Sequence, residues 1–430
     1  MKNRKAILLL FAANSISGCA QGISMIAIPW YFVDVLKQPA LFSNIYLAVT
    51  IFSVFWGLYA GTLVDRLNRK HLFIGENAFG ALWLGTVAAI GFNMGSVPTP
   101  LAGLVFSTTF LTYNIHYPTL YAFAQEITEK KDYGRITSWL EIQGQLTSAA
   151  AGGFGALLLN GIESGNMEWL GYAFSLPISF EAWSLPQVFL LDASTYALSF
   201  LLILPIRYTA ISQRFQENVS LWKRLQTGIR FFRVYPIIFV FATVASFVFV
   251  TTMLVNYVLA PNFVKNYLLQ SADVYAIGEV CFAVGAIVSA AFIAHLLQRS
   301  TKVMGAILTL FISALTFLFL VFNRSLIGYY LALLALGLAN SGSRIMRVTY
   351  IFHHIPNQLI GRTSSVSHVA NVMMRAFFIG LFGLPFFIEG VPYAFLLFAF
   401  CCFLAAGILI WHYRDLVDVE VEEEEWLQKK

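Results

Sequence analysis

Charged residues are scarce in this chain: Asp, Glu, Lys and Arg make up 11% of its 430 residues, whereas hydrophobic residues make up 58%. Soluble globular domains carry about 25% charged residues, so the composition excludes an ordinary soluble domain. The formal net charge is +5, but the bases lie in short segments between apolar runs. They do not form the basic surface that binds nucleic acid, and we expect no nucleic-acid partner.

Cysteine is also rare, and all four cysteines lie inside apolar runs: Cys19, Cys281, Cys401 and Cys402. In such surroundings cysteine is typical of a small buried hydrophobic residue, and it indicates neither a disulfide framework nor a metal site. The sequence also lacks a phosphate-binding loop, a cluster of metal ligands and a nucleotide domain. We expect no metal, no cofactor and no ATP-driven pumping.

The chain contains several long apolar runs. A helix needs about 20 apolar residues to cross a bilayer. The first run follows Lys2, Arg4 and Lys5 and contains Cys19, as a lipoprotein signal peptide would, but it continues past Trp30. We therefore interpret it as an uncleaved transmembrane helix. We predict an all-α polytopic membrane protein with twelve spans: residues 6–33, 41–63, 71–93, 100–123, 136–159, 187–206, 236–263, 274–296, 303–322, 326–349, 364–388 and 392–412.

Lys and Arg are distributed unevenly between the loops. The loops on one side hold most of the bases, including the cluster from Arg207 to Arg233, whereas those on the other side hold only Lys37, Lys265 and Arg324. Because basic loops stay in the cytoplasm, we expect an inner-membrane protein with both termini cytoplasmic. The predicted parts are an N-terminal six-helix bundle (1–206), a cytoplasmic amphipathic linker (207–235), a C-terminal six-helix bundle (236–413) and an acidic cytoplasmic tail (414–430).

A short polar loop between spans two and three has the pattern G-x-x-x-D-R-x-x-R-[RK], formed by Gly61, Asp65, Arg66, Arg69 and Lys70. A loop that is basic only because positive charge keeps it in the cytoplasm would need the bases but neither the acid nor the glycine. The two halves also repeat. Gly134-Arg135 after span four matches Gly361-Arg362 after span ten, and a degraded second copy of the motif has His295 in place of the acid.

The motif and the repeat resemble the major facilitator superfamily. This resemblance implies two pseudo-symmetric six-helix bundles around a central path that opens alternately to either side, with the five motif residues forming a gate. It also implies that spans two and eleven are neighbours, so that Asp65 lies near the start of span eleven, around Arg362–Ser364, and acts as a latch. Gly61 would permit the close approach, and Arg66, Arg69 and Glu126 would hold the carboxylate.

Three further segments, Ser15–Arg69, Gln187–Ser194 and Ile355–Arg362, are similar to the macrolide-efflux and siderophore-exporter branch of the drug:proton antiporters. In span five the segment Gly144–Gly153 departs from the antiporter pattern, because Ser148-Ala149 replaces a Gly-Pro pair. The resemblance implies a secondary transporter that exports a drug-like or siderophore-like molecule by proton-coupled antiport. The alternatives are an importer or a lipid or metabolite transporter on the same fold and, from another class, an integral-membrane enzyme. The His353-His354 pair favours an enzyme only superficially, because no acid follows it at the needed position, so we expect no enzyme.

Polar residues within the spans are the candidate site, because ionised groups are costly in hydrocarbon unless they are paired or used. The alternative for Ser and Asn is that they join neighbouring helices. The proton-coupling candidates are Glu141, Asp192 and His368. The arginines of the C-terminal half favour an anionic substrate. We expect the protein to be a monomer. The cavity candidates are Gln21, Asn114, Gln145, Asn340, Arg344, Asn371 and Arg375. Glu76 is expected to pair with Lys70 or His71.

Overall fold

The computed structural model describes residues 3–129, 132–162, 166–169, 172–175, 179–206, 221–296 and 301–421. Predicted parts that lie outside these ranges are residues 207–220 of the linker and residues 422–430 of the tail. The described helices are α1 (Arg4–Trp30), α2 (Pro39–Arg66), α3 (Arg69–Met94), α4 (Thr99–Glu126), α5 (Tyr133–Asn160), α6 (Leu185–Ile203), α7 (Leu221–Val234), α8 (Pro236–Ala245), α9 (Phe247–Leu254), α10 (Ala260–Asn262), α11 (Ala272–Leu296), α12 (Lys302–Phe322), α13 (Leu326–His354), α14 (Asn357–Phe382), α15 (Pro385–Glu389), α16 (Val391–Trp411) and α17 (Tyr413–Asp418).

Ten segments of the described chain are long and apolar enough to cross a membrane. One of them, Pro236–Tyr267, combines α8, α9 and α10 with two π-helical turns. Helices α4 and α5 fall outside this set, but each has 28 residues and is therefore about 42 Å long, enough to cross a bilayer. The predicted all-α membrane fold is confirmed. The sequence did not predict the small antiparallel hairpin of β1 (Asn166–Trp169) and β2 (Tyr172–Ser175).

The chain forms two compact units. Unit 1 comprises residues 1–216 and 264–280, and unit 2 comprises residues 217–263 and 281–430. The segment 264–280 joins unit 1 through Lys265, whose Nζ lies 2.7 Å from Asp34 Oδ1, and through Tyr275, which stacks on Trp30. The division into bundles at 207–235 did not anticipate this segment, and the predicted four-part partition stays a prediction.

In unit 1, α1 packs against α5 and α6, α3 packs against α6, and α2 packs against α4. Glycine allows two of these contacts. A Cβ atom at Gly22 would lie 2.6 Å from the Cβ of Ala151 on α5, and one at Gly80 would lie 2.9 Å from the ring of Tyr196 on α6. Small residues of this kind bring membrane helices close enough for polar side chains to meet.

In unit 2, α12 packs against α13 and α16, and α14 packs against α9 and α7. The predicted amphipathic linker helix is α7. Its Phe231 is fully buried, and a Cβ atom at Gly228 would collide with the backbone oxygen of Arg362 on α14. Lys223 and Arg233 are exposed. The apolar face of α7 thus packs on protein.

Two predicted boundaries were wrong. The motif is not a loop, because α2 continues to Arg66 and α3 begins at Arg69. Asn68 is the N-cap of α3, and its Oδ1 accepts from Lys70 N at 2.9 Å, which starts the helix earlier than hydropathy indicates. Likewise α14 begins at Asn357, directly after Pro356, and not at residue 364.

The second boundary changes the proposed latch. The unsatisfied N–H groups of a helix belong to its first turn, which in α14 starts at Asn357. Arg362–Ser364 lies beyond that turn, so these residues carry none of the free N–H groups that the latch requires, and the position of Asp65 beside them stays a prediction. A Cβ atom at Gly61 would meet no atom within 4 Å, and the approach of span eleven to this glycine stays a prediction.

Candidate functional site

The motif residues lie in the last two turns of α2 and the first turn of α3. Arg69 Nη1 is 3.3 Å from Glu126 Oε1 at the end of α4, and their side chains are only 12% and 8% exposed. Lys70 Nζ donates to the backbone oxygen of Leu204 at 2.7 Å. These contacts join α3 to the ends of two other helices. Asp65 and Arg66 belong to the last turn of α2, but their side chains lie outside the described part of the structure.

Helices α1 and α6 place two of the predicted residues, Gln21 and Asp192, in one buried polar network. Asp192 has no exposed surface, and its Oδ2 accepts a hydrogen bond of 2.7 Å from Ser24. One turn away on both helices, Gln21 Nε2 donates to Tyr196 Oη at 2.7 Å. Because Ser24 and Gln21 are three residues apart, as neighbours on one face of a helix are, the two bonds lie on the same face of α1.

Glu141, the leading proton-coupling candidate, lies on α5 and accepts a hydrogen bond of 2.6 Å from Tyr121 Oη on α4. Gln145 lies one turn further along the same face of α5, and Asn114 lies two turns before Tyr121 on α4. Asn114 is half-buried and donates to the backbone of its own helix, and Gln145 is half-buried on α5. These two residues gain no support as parts of a shared site.

A pocket of about 510 Å³ lies between α1 and α5. Most of its wall is apolar and includes Phe11, Cys19 and Trp139. Its polar part is Gln143, whose Nε2 donates to Ser15 Oγ at 2.6 Å and to Phe11 O at 2.7 Å. Sequence reasoning selected Glu141 and Gln145 on α5 and missed Gln143, which lies between them in sequence but on the side of α5 that meets α1.

A second polar group in unit 1 involves three helices. His116 on α4 has Nε2 2.9 Å from Asn14 Oδ1 on α1, and its Nδ1 is 3.5 Å from Glu76 Oε2 on α3. The prediction that Glu76 pairs with Lys70 or His71 was therefore wrong. Its partner lies 40 residues further along the chain on another helix, a distance at which sequence alone gives no pairing signal.

In unit 2 the polar candidates follow two helices. On α13, Asn340, Arg344 and Arg347 have the spacing of one helical face, and the two guanidinium groups repel each other electrostatically. On α14, His368 is exposed and lies in the field of Arg375, which is itself buried. Asn371 Nδ2 donates to Ser367 O at 3.1 Å. We did not select Ser343, which donates to Ala245 O at 2.6 Å and joins α13 to the end of α8.

The membrane-spanning helices form two units and bury polar and charged side chains. This arrangement is typical of membrane transporters. The sequence profile of the Major Facilitator Superfamily matches residues 10–379, and the chain belongs to this superfamily. It is thus an integral membrane protein of a transporter family. The superfamily resemblance drawn from the Gly61–Lys70 motif is confirmed.

Solved structures share the fold. The nucleoside transporter NupG superposes with a TM-score of 0.69 at 16% identity, covering 96% of this chain and 100% of that one. A bacterial homologue of the human lysosomal transporter Spinster gives 0.67 at 12% identity, with 98% and 99% covered. The D-xylose-proton symporter gives 0.67 at 12% identity, with 95% and 97% covered. No curated protein sequence matches this chain. Identities this low show the fold alone.

Proposed function

We propose that this transporter exports a small anionic organic molecule by alternating access, in exchange for protons. The observation that carries the proposal is the charge of the spans in unit 2. Within unit 2 they contain Arg344, Arg347, Arg375 and His368 and no Asp or Glu, because the two acids of α11, Asp273 and Glu279, lie in the part of that helix that belongs to unit 1. A substrate carboxylate or catecholate would find a positive potential there, strengthened by the low dielectric around the spans.

Unit 1 carries the opposite charge within its spans. Glu76, Glu141 and Asp192 lie on α3, α5 and α6, and Asp192 is fully buried. Carboxylates held away from water are suited to binding and releasing protons. The separation supports a division of roles, with the substrate anion bound by bases of unit 2 and protons bound by acids of unit 1.

The α1–α5 pocket supports a substrate with an apolar body. Its lining includes Phe11, Trp139 and Leu146, which would stack on or pack against a ring system. An amphiphilic anion with an aromatic or macrocyclic part fits this lining better than a sugar does. The similarity of segments such as Gln187–Ser194 to macrolide and siderophore exporters supports export from the cytoplasm, and we propose an inner-membrane location with cytoplasmic termini.

Everted membrane vesicles with an acidified lumen test the proposal. Export should appear as uptake of the anionic dye carboxyfluorescein, driven by the pH gradient, with little uptake of the cation ethidium. Arg375→Gln should reduce carboxyfluorescein uptake at least tenfold, whereas Arg324→Gln, in the loop before α13, should leave it unchanged. Preference for ethidium would overturn the anionic substrate, and uptake only in right-side-out vesicles would indicate an importer.

We also propose that the motif residues control the cytoplasmic gate. The support is the Arg69–Glu126 ion pair, which fixes the start of α3 against the end of α4 beside the last turn of α2. Asp65→Asn should reach the membrane in wild-type amounts and still transport less dye. Unchanged transport would leave the stretch as a basic segment that only sets topology.

A further inference from the structure

The His116 ring lies between two hydrogen-bond acceptors. Its Nε2 is 2.9 Å from the amide oxygen of Asn14, and its Nδ1 is 3.5 Å from a carboxylate oxygen of Glu76. A neutral imidazole has one donor nitrogen and one acceptor nitrogen, whereas an imidazolium has two donors. The arrangement therefore matches the charged ring, which donates to Asn14 and faces the Glu76 carboxylate.

The surroundings favour a charge pair at this position. The Glu76 and His116 side chains are 9% and 17% exposed, and the buried ring of Phe73 meets the His116 ring edge-on at 5.2 Å between centroids. Low dielectric strengthens the attraction between carboxylate and imidazolium. Within the described residues, neither oxygen of Glu76 accepts a hydrogen bond, so the imidazolium is the group placed to balance its charge.

Asn14 can serve both protonation states of the ring. Its side-chain amide carries an acceptor oxygen and a donor NH₂ group at nearly the same positions. When the Nε2 proton leaves, rotation of the amide by 180° would present Nδ2–H to the Nε2 lone pair, while Nδ1–H stays towards Glu76. One proton is then released, and the ring keeps a hydrogen bond to Asn14 on one side and faces the Glu76 carboxylate on the other.

We propose that Glu76, His116 and Asn14 form a proton-binding centre of unit 1, in which the Asn14 amide switches between acceptor and donor as His116 loses and regains one proton. The proton goes to water through the exposed part of the ring. The idea that this proton is the one exchanged for substrate rests on the proposed function above.

Other titratable groups surround the centre on helices that pack against α1, α3 or α4. On α6, Tyr196 lies in the fields of Glu76, Asp192 and Tyr117, and the Gly80 contact places its ring one turn along α3 from Glu76. On α5, Glu141 is held by Tyr121 of α4. Helix α2 meets α4 through Trp56, which donates to Leu111 O at 2.9 Å. Proton loss at His116 would leave net negative charge beside Tyr196, which connects the centre to the buried Asp192.

The direct test is ¹⁵N NMR of protein labelled on its histidine rings and held in detergent micelles. Of the seven histidines, His116 is assigned by the signals lost in His116→Gln. We expect two protonated ring nitrogens in the charged ring, and a ring protonated on Nδ1 alone once one proton has been removed. Glu76→Gln should make the ring neutral at the pH where the wild type is charged.

Two matched variants sharpen the test. Glu126→Gln removes the carboxylate of a different ion pair in unit 1 and should leave the His116 signals unchanged. Asn14→Asp keeps an acceptor but cannot donate, so the ring should stay doubly protonated where the wild type is already neutral. A wild-type ring that is never doubly protonated, or the same signals in Glu76→Gln, would overturn the centre.

The dye assay tests the link to transport. In everted vesicles, Glu76→Gln and Asn14→Asp should each reduce carboxyfluorescein uptake driven by the pH gradient at least tenfold. Exchange of dye down its own concentration gradient should continue in both variants. Wild-type uptake in both variants would overturn the coupling role. If the wild type moves no dye at all, the proposed function fails, and the NMR experiment still decides whether the centre binds a proton.

Discussion

Ser24 on α1 donates a hydrogen bond of 2.7 Å to Asp192 on α6, and both residues are buried. In the described part of the structure, Asp192 Oδ2 accepts this bond while Oδ1 has no hydrogen-bond partner. A buried carboxylate with a single hydroxyl donor is expensive to keep ionised. The bond therefore contributes to stability and also keeps a proton-binding group at the contact between two helices.

Ser24→Ala should lower the free energy of unfolding by about 1–3 kcal/mol, because it leaves the Asp192 carboxyl without its donor. Thermal unfolding in detergent would measure this. The matched control is Ser17→Ala, since Ser17 is also buried on α1 but bonds to Ala13 of its own helix. If both variants lose the same stability, the interhelical bond contributes nothing of its own.

Arg69→Gln should destabilise the protein by roughly 3 kcal/mol, because it removes one partner of a mostly buried ion pair with Glu126. Lys70→Gln changes a neighbouring base whose ammonium group is exposed, and it should cost less than about 1 kcal/mol. Unfolding curves recorded in detergent compare the two. An equal loss in both would contradict a specific role for the Arg69–Glu126 pair.

Gly152→Ala should destabilise unit 1 by about 1–3 kcal/mol, the usual cost of overpacking. A Cβ atom at Gly152 would lie 2.7 Å from Ala276 O and 2.8 Å from Val280 Cγ2. Gly153→Ala is the control, because its Cβ would meet no atom within 4 Å and alanine favours the helix by about 0.5–1 kcal/mol. Size-exclusion profiles after heating should separate them. A less stable Gly153→Ala would show that the α5–α11 contact is not the cause.

Single cysteines in a cysteine-free background test the topology. The distribution of bases predicts that Gly165→Cys and Ser325→Cys react with an impermeant thiol reagent in intact cells, and that Ser220→Cys reacts only after the cells are opened. Protection of the first two and labelling of the third would invert the predicted orientation.

The sequence predicts the spans well and the contacts between them poorly. A span can be read locally, because apolar length alone decides whether a segment crosses the bilayer. Asp192 could also be singled out, as a lone acid in the apolar run of α6. The residues at which helices begin were harder to predict from the sequence. Asn68 and Pro356 determine where α3 and α14 begin, and hydropathy gives such capping residues no weight.

Pairing and close packing depend on which helices become neighbours. Glu76 has two bases nearby in sequence, yet it faces His116 because α3 packs against α4. The sequence likewise does not single out Gly152, where a Cβ atom would collide with Ala276 and Val280 of α11. In both cases the contact depends on which helix packs against a given helix face, and the sequence does not show which helix that is.

The segment 264–280 has a consequence for biosynthesis. It supplies Lys265 and Tyr275 to Asp34 and Trp30 in unit 1, but the ribosome makes it only after residues 217–263, which belong to unit 2. A nascent chain that has reached residue 216 therefore cannot finish its first unit, although domains ordinarily fold as they emerge, N-terminal first. Translation and membrane insertion must run well into the second half before the first half can close.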